Sequence, residues 1–295
     1  MMKTELQILI AKIENINQGL KVRDQGYFRS LTVQNLTSLF FEISDVLQCK
    51  NLLDIGAHNA DISLKFVGSR ERKSFAYEAN PNTFAKTFNS IRTHNIELIN
   101  AGIGDHVGEL KLHIPNKSKS GTAINSSIKH RSKPTSYIEV LVPITTLNEV
   151  RKNISTSANI ALWIDVEGFT KEVLMGGQDL LSDPRLRIIM VELESSPFWH
   201  DQALAGEIDE ILVRNEFCPI AVDCQAVNQF NALYVRKSDF PILILTLDHF
   251  WGELAKFRIG GISRLNLKIQ KSRQAMIYRI KRALLKWNLV RRLID

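Results

Sequence analysis

Three carboxylates each close a short apolar run: Asp54 after Leu52-Leu53, Glu78 after Phe75-Ala76-Tyr77, and Asp165 after Leu162-Trp163-Ile164. An acid that ends a buried strand and precedes a turn and a helix stands at the carboxyl edge of a doubly wound sheet, where such sheets bind ligands. Any one of them alone reads as a helix cap or a solvated turn residue. Three on neighbouring strands face one crevice. Glu78 lies 24 positions after Asp54, close to the roughly 20-residue offset at which an acid reads the ribose diol of an adenosine ligand. A carboxylate can accept from both ribose hydroxyls, and each such charged hydrogen bond is worth about 1.5–3 kcal/mol.

The turn after Asp54 decides between adenosine ligands. A dinucleotide needs glycines at the G-x-G-x-x-G spacing so that bare backbone can approach its pyrophosphate. Here Gly56 is followed by Ala57, His58, Asn59 and Ala60, so the second and third glycines are absent. A dinucleotide-dependent oxidoreductase is therefore the weaker reading. S-adenosylmethionine keeps the ribose diol, carries no phosphate, and brings ammonium and sulfonium centres suited to an acidic strand end such as Asp54.

The elements that must hold these groups follow from periodicity. Residues 4–20 read as an amphipathic helix, with Thr4 and Gln7 as a capping box and Leu6, Ile13 and Ile16 at helical spacing. A second helix is expected from about 33 to 47. Strands are expected at 52–54, 74–78 and 96–100, with Asn80 and Pro81 opening a helix that carries Phe84, Phe88 and Ile91. Residues 101–105 form a glycine-bearing turn. Residues 109–114 and 138–144 alternate apolar with polar, as an antiparallel pair does. Between them, residues 115–136 hold six serines, five Lys or Arg and no acid. This long basic loop suits a lid, a clamp on an anionic acceptor, or plain solvated chain. The βα rhythm resumes with a strand at 160–165, a helix through Val173 and Leu174, and a strand at 188–192 that continues to Glu194. A helix around 207–213 leads to strands near 218–222 and 232–235. The expected fold is α/β, a mostly parallel doubly wound sheet with an inserted antiparallel hairpin. It occupies residues 49–240, with an N-terminal helical cover (1–48) and a basic C-terminal helical extension (241–295).

Asp54-Ile55-Gly56-Ala57-His58, Tyr77-Glu78-Ala79-Asn80-Pro81, Val142-Pro143-Ile144-Thr145-Thr146-Leu147, Ile164-Asp165-Val166-Glu167-Gly168 and Val191-Glu192 resemble, in this order, the FkbM-type family of S-adenosylmethionine-dependent methyltransferases. The likeness runs from about 51 to 235, and Ser126-Ser127 matches a serine pair that family carries. The Asp165-to-Gly168 block is its most specific part. Ala60 departs from it, where the family has glycine. The resemblance implies a Rossmann-like class I methyltransferase (EC 2.1.1.-) that O-methylates a hydroxyl, with sugars of glycans and glycolipids or natural-product scaffolds as acceptors. By the same analogy Asp54, Gly56 and Ala57 line the methionine end, Glu78 holds the ribose, and the Ala101-Gly102 turn lies beside the adenine. Asp165 stands at the methyl-transfer edge. An aliphatic hydroxyl must lose its proton, which calls for a positioned base. Asp165 and Glu167 are the candidates, with Glu192 or Glu194 behind them. Glu167 reads equally well as a first-turn helix acid. Clustered carboxylates can also hold a divalent cation, although nothing in the spacing requires one and no metal is assigned. His58 can touch donor or acceptor, or serve structure alone. His200 stands after Pro197-Phe198-Trp199 as a weaker acceptor-side candidate. The contrasting reading is a catalytically silent binding module of the same fold.

Charge is unevenly placed. The net charge is +7, yet residues 249–295 hold twelve Lys or Arg against Glu253 and Asp295, so the other 248 residues are net negative by three. Nucleic acid is thus not an expected partner. In the tail, Met276, Ile280, Ala283, Trp287, Val290 and Ile294 fall at helical spacing among six Lys or Arg. Residues 268–294 read either as a peripheral membrane-surface helix or as one that packs on the domain or a second subunit. Three cysteines make no framework, and the first residues lack the lead of a signal peptide. A cytoplasmic protein, peripheral on the inner membrane face, is the expectation.

Overall fold

Thr4 caps the first helix, α1 (Glu5–Gln18), by accepting from the Gln7 N–H while Gln7 Oε1 accepts from its own N–H at 3.1 Å. The helix buries Leu6, Ile13 and Ile16. The computed structural model describes residues 3–68, 71–91, 95–116, 126–129, 136–154 and 157–255. The chain divides into two compact units, Met1–Trp251 and Gly252–Asp295.

The second helix, α2 (Val22–Val46), starts well before position 33. Its first half has a sparse apolar pattern, with Gly26 and an exposed Tyr27, and is held instead by tertiary contacts. Phe28 is fully buried, and Thr32 Oγ1 accepts from the Cys224 N–H at 3.2 Å. In its second half Phe40 meets the edge of Trp163 at 5.1 Å between ring centroids.

The βα units then follow as β1 (Cys49–Ile55), α3 (Asp61–Val67), β2 (Lys73–Tyr77), α4 (Pro81–Ser90) and β3 (Ile96–Ile99). Three strands come next: β4 (Gly102–Ile103), β5 (Gly108–Pro115) and β6 (Tyr137–Thr145). The rest are α5 (Leu147–Arg151), β7 (Asn159–Ile164), α6 (Thr170–Met175), α7 (Gln178–Ser182), β8 (Leu186–Glu194) and α8 (Ala205–Arg214). The series closes with β9 (Phe217–Val222), β10 (Gln229–Arg236) and α9 (Phe240–Ala255).

Seven strands form one sheet in the order β3-β2-β1-β7-β8-β10-β9. All neighbours run parallel except β10, which is antiparallel to both β8 and β9. Strand order reverses between β1 and β7, and that switch point is where open α/β sheets take ligands. The middle strands read as continuous apolar runs because helices cover both faces; Leu52, Leu53, Ile160, Leu162, Ile188 and Ile189 are fully buried.

The expected hairpin is present, with β5 antiparallel to β6 from Gly108 opposite Ile144 to Pro115 opposite Tyr137. It belongs to a second sheet, β4-β6-β5. Residues 102–103, expected as turn, pair parallel with β6. In α4 the buried face is Thr83 and Thr87, while Phe88 is exposed. The threonine reaches back to the first turn, where Thr87 Oγ1 donates to the His58 carbonyl at 2.8 Å.

In α9, Trp251 Nε1 donates to the Ile220 carbonyl at 3.3 Å and Lys12 Nζ sits 3.6 Å from the Trp251 ring centroid. Phe240, Ile242 and Leu245 are exposed. Among the described residues no helix is long and apolar enough to cross a membrane. Most of the basic loop (117–125 and 130–135) and the basic tail helix (268–294) lie outside the described residues.

Candidate active site

The carboxyl ends of β1, β2 and β7 open into a cavity of about 440 Å³, within the usual size of a small-molecule site. Register sets this, since Asp54 pairs with Ala76 on one side and Trp163 on the other. Adjacent strand ends therefore bring residues 55–58, 77–79 and 165–167 to one edge.

The first turn is fastened by its own backbone. Gly56 and Ala57 N–H both donate to the Tyr77 carbonyl, at 3.0 and 2.9 Å, and Ala60 N–H donates to the Ala57 carbonyl at 2.6 Å. Gly56 has φ +82°, and a Cβ there would lie 1.8 Å from the Asp165 carbonyl oxygen. The turn thus lies flush against the end of β7. Ala60 has φ 56°. The left-handed region costs an L-residue roughly 1–2 kcal/mol, which explains why glycine suits this position.

Glu78 is the next fixed point. Its Oε2 accepts from the His58 N–H at 2.8 Å and its Oε1 from the Asn80 N–H at 2.7 Å. Asn100 Nδ2 donates to the Glu78 carbonyl at 2.8 Å. Burial pushes the Glu78 carboxyl up to about 7, against the pull of those two N–H donors. His58 is half-buried, and burial lowers its imidazole.

Asp54, expected at the methionine end, stands one layer back from the cavity wall. Its Oδ2 accepts from Ser63 N–H at 3.2 Å and Ser63 Oγ–H at 2.5 Å, and the side chain is almost wholly buried. Burial raises its carboxyl to about 6. A short polar partner nine residues on draws Asp54 under α3. Ala57 likewise contributes backbone and does not line the cavity. Gly56, His58, Glu78, Ala101, Gly102 and Asp165 do line it. His200 is exposed and off the cavity wall.

The other wall is acidic. Asp165 follows β7, with its N–H on the Ile55 carbonyl at 2.9 Å. Glu167 has φ 48°, and Gly168, at φ +85°, has Trp199 packed where a Cβ would stand, 2.4 Å from Cδ1. Glu192 lies beside Asp165 from β8, and burial, then the Asp165 charge, raises its carboxyl well above the usual range. Asp165 is raised by burial too. Glu194, one strand repeat on, is pushed up to about 7 by burial.

Sequence reasoning missed the amides that fix this wall. Gln225 Nε2 donates to Glu192 Oε1 at 3.2 Å, while Gln225 Oε1 accepts from Asn231 Nδ2 at 2.8 Å. Asn231 in turn donates to buried Asp223. Gln202 Nε2 donates to Glu194 Oε2 at 2.6 Å. No motif marks these residues; Asn231 comes opposite Glu192 because β10 returns antiparallel beside β8, and Gln202 folds back from the segment after β8. The serine pair has a visible job. Ser127 Oγ donates to the Glu167 carbonyl at 2.6 Å, and Ser126 Oγ accepts from Asn80 Nδ2 at 3.1 Å, so residues 126–128 form one side of the cavity.

Comparison with known proteins gives one family model, described as the methyltransferase FkbM domain, which matches residues 54–218. No curated protein matches the chain. Among solved structures it is similar to precorrin-6y C5,15-methyltransferase from Geobacter metallireducens, at 12% identity and a TM-score of 0.40, covering 69% of this chain and 88% of that one. It is also similar to magnesium protoporphyrin IX methyltransferase from Synechocystis PCC 6803. With SAM bound, that structure gives 9% identity and a TM-score of 0.40, over 80% of this chain and 86% of that one. With SAH bound, the values are 8% and 0.41, over 77% and 94%.

Proposed function

This chain belongs to the FkbM methyltransferase family, and from that premise we propose that its cavity brings an S-adenosylmethionine donor to a sugar hydroxyl of a glycan or glycolipid. The family makes it an S-adenosylmethionine-dependent methyltransferase, and its sheet has the Rossmann-like class I form. Bound S-adenosylmethionine supplies a methyl carbon on positively charged sulfur, open to in-line displacement by an oxygen.

One observation supports this donor over a dinucleotide. The N–H groups of Gly56, Ala57, His58 and Ala60 are all engaged by protein oxygens. A pyrophosphate would need just such backbone donors, whereas a ribose diol needs an acceptor, and Glu78 is one. In this reading Glu78 accepts from both ribose hydroxyls, and Ala101 and Gly102 lie beside the base. Asp54 positions the turn through Ser63 and does not touch the donor. Asp165 and Glu167 face the acceptor, and a carboxylate oxygen of Asp165 would take the proton that its hydroxyl loses when the methyl–sulfur bond of the donor breaks and S-adenosylhomocysteine leaves. The rim amides of Gln225 and Gln229 offer both donors and acceptors to a hydroxyl-rich molecule. The placement we favour is cytoplasmic, which rests on the free cysteines, with peripheral membrane contact through residues 268–294, which rests on the charge of the tail.

The test is transfer of label from methyl-radiolabelled S-adenosylmethionine to a panel of saccharides and lipid-linked glycans. Base-stable label in a sugar supports an O-methyl ether. A protein that binds S-adenosylhomocysteine yet labels only non-carbohydrate acceptors overturns the sugar assignment.

A further inference from the structure

We propose that Asp165, Glu167 and Glu192 together hold a hard divalent cation of the magnesium or manganese kind, and that this cation takes the acceptor hydroxyl. The inference rests on the methyltransferase reading and gives its acidic wall a specific task. One carboxylate oxygen from each residue lies within 4.8 Å of the other two. Three carboxylates brought so close repel one another, and in a half-buried wall that repulsion is weakly screened. All-oxygen, all-carboxylate donors select hard cations.

A second observation points the same way. Glu192 is only 5% exposed; its Oε2 meets no N–H or hydroxyl donor, and the side chain faces Asp165 carboxyl to carboxyl. A buried carboxylate oxygen without a donor is costly unless something positive reaches it. The side chain is not loose, because Gln225 holds its other oxygen and is itself oriented by Asn231 and Asp223. Such outer partners are what a metal-ligating carboxylate requires. Neighbouring corners of a magnesium octahedron are about 3 Å apart, so binding draws the three oxygens together. Three coordination positions then stay open. An acceptor hydroxyl oxygen in one of them is polarised by the cation, and the second oxygen of Asp165 takes its proton.

Manganese(II) titration of the full chain, followed by loss of the free-ion electron paramagnetic resonance signal, tests this without any turnover. The expected result is one Mn²⁺ per chain, weakened at least tenfold in Glu192→Gln. Glu78→Ala should leave Mn²⁺ affinity within twofold while S-adenosylhomocysteine binding falls. Should Glu192→Gln fail to fold, Glu167→Gln, at a half-exposed position, carries the same expectation. Wild-type protein that binds S-adenosylhomocysteine but no Mn²⁺ overturns the cation site and leaves the donor site standing; Glu192 and Asp165 then share a proton instead. Mn²⁺ binding that neither variant weakens places the ion elsewhere and also overturns it.

Discussion

The backbone N–H of His58 donates to Glu78 Oε2 at 2.8 Å. This bond joins the turn after β1 to the acid after β2, across the strand pair where the donor's ribose is expected. It uses up an amide that a phosphate would otherwise want, and it fixes the acid that a diol wants.

Donor affinity should depend on pH through Glu78. Its carboxyl is raised to about 7, so it is ionised above that value and protonated below. The charged form is the better acceptor for two hydroxyls. Affinity for S-adenosylhomocysteine is expected to weaken as pH falls from 8 to 6, and Glu78→Gln should flatten the profile. The same raised carboxyl has the opposite effect on the empty protein: its contribution to stability is present below the unfolded value and lost as pH rises through about 7. Calorimetric affinities at three pH values check the first statement, and thermal denaturation without ligand checks the second.

Ser63→Ala removes the shortest donor to Asp54, a buried carboxylate raised to about 6. Losing a donor to a buried charged group costs about 1–3 kcal/mol. The loss should be present at pH 8, where Asp54 is ionised, and small at pH 5, where it is protonated. Urea unfolding at the two pH values measures it. Equal destabilisation at both would mean that Ser63 acts through packing and not through the charge.

Gly168→Ala forces an L-residue to φ +85° and drives a Cβ into Trp199. The backbone penalty alone is about 1–2 kcal/mol, which for a chain of this size lowers the melting temperature by several degrees. Glu167 is the next residue back, so methyl transfer should fall more steeply than donor affinity. Comparing kcat with the dissociation constant for S-adenosylhomocysteine separates the two.

Much of this was legible from local pattern. Apolar runs ending in Asp54, Glu78 and Asp165 were strands because helices cover both faces of the sheet, and Thr4 with Gln7 and Asn80 with Pro81 marked helix starts by cap chemistry alone. What escaped depends on distant partners. The first half of α2 is helical because Thr32 meets Cys224, and the Asp54 side chain points under α3 because Ser63 donates to it twice. Gln225 reaches Glu192 only because β10 inserts between β8 and β9. Thr32 and Cys224, or Glu192 and Gln225, share no window of sequence, and Asp54 and Ser63 do so without any periodicity that marks them as partners.

The tail gives a separate expectation. Full-length protein should co-sediment with anionic liposomes, and a chain truncated after Ala255 should not. Absence of lipid binding by both refutes peripheral membrane contact and leaves the donor site untouched.

Calorimetric titration of the full chain with S-adenosylhomocysteine tests the central claim most directly. One site with micromolar affinity is expected, weakened at least roughly 10-fold in Glu78→Ala, since even one of the two hydrogen bonds to this charged acceptor is worth about 1.5–3 kcal/mol. No heat of binding at millimolar ligand, or binding indifferent to Glu78→Ala, would contradict it.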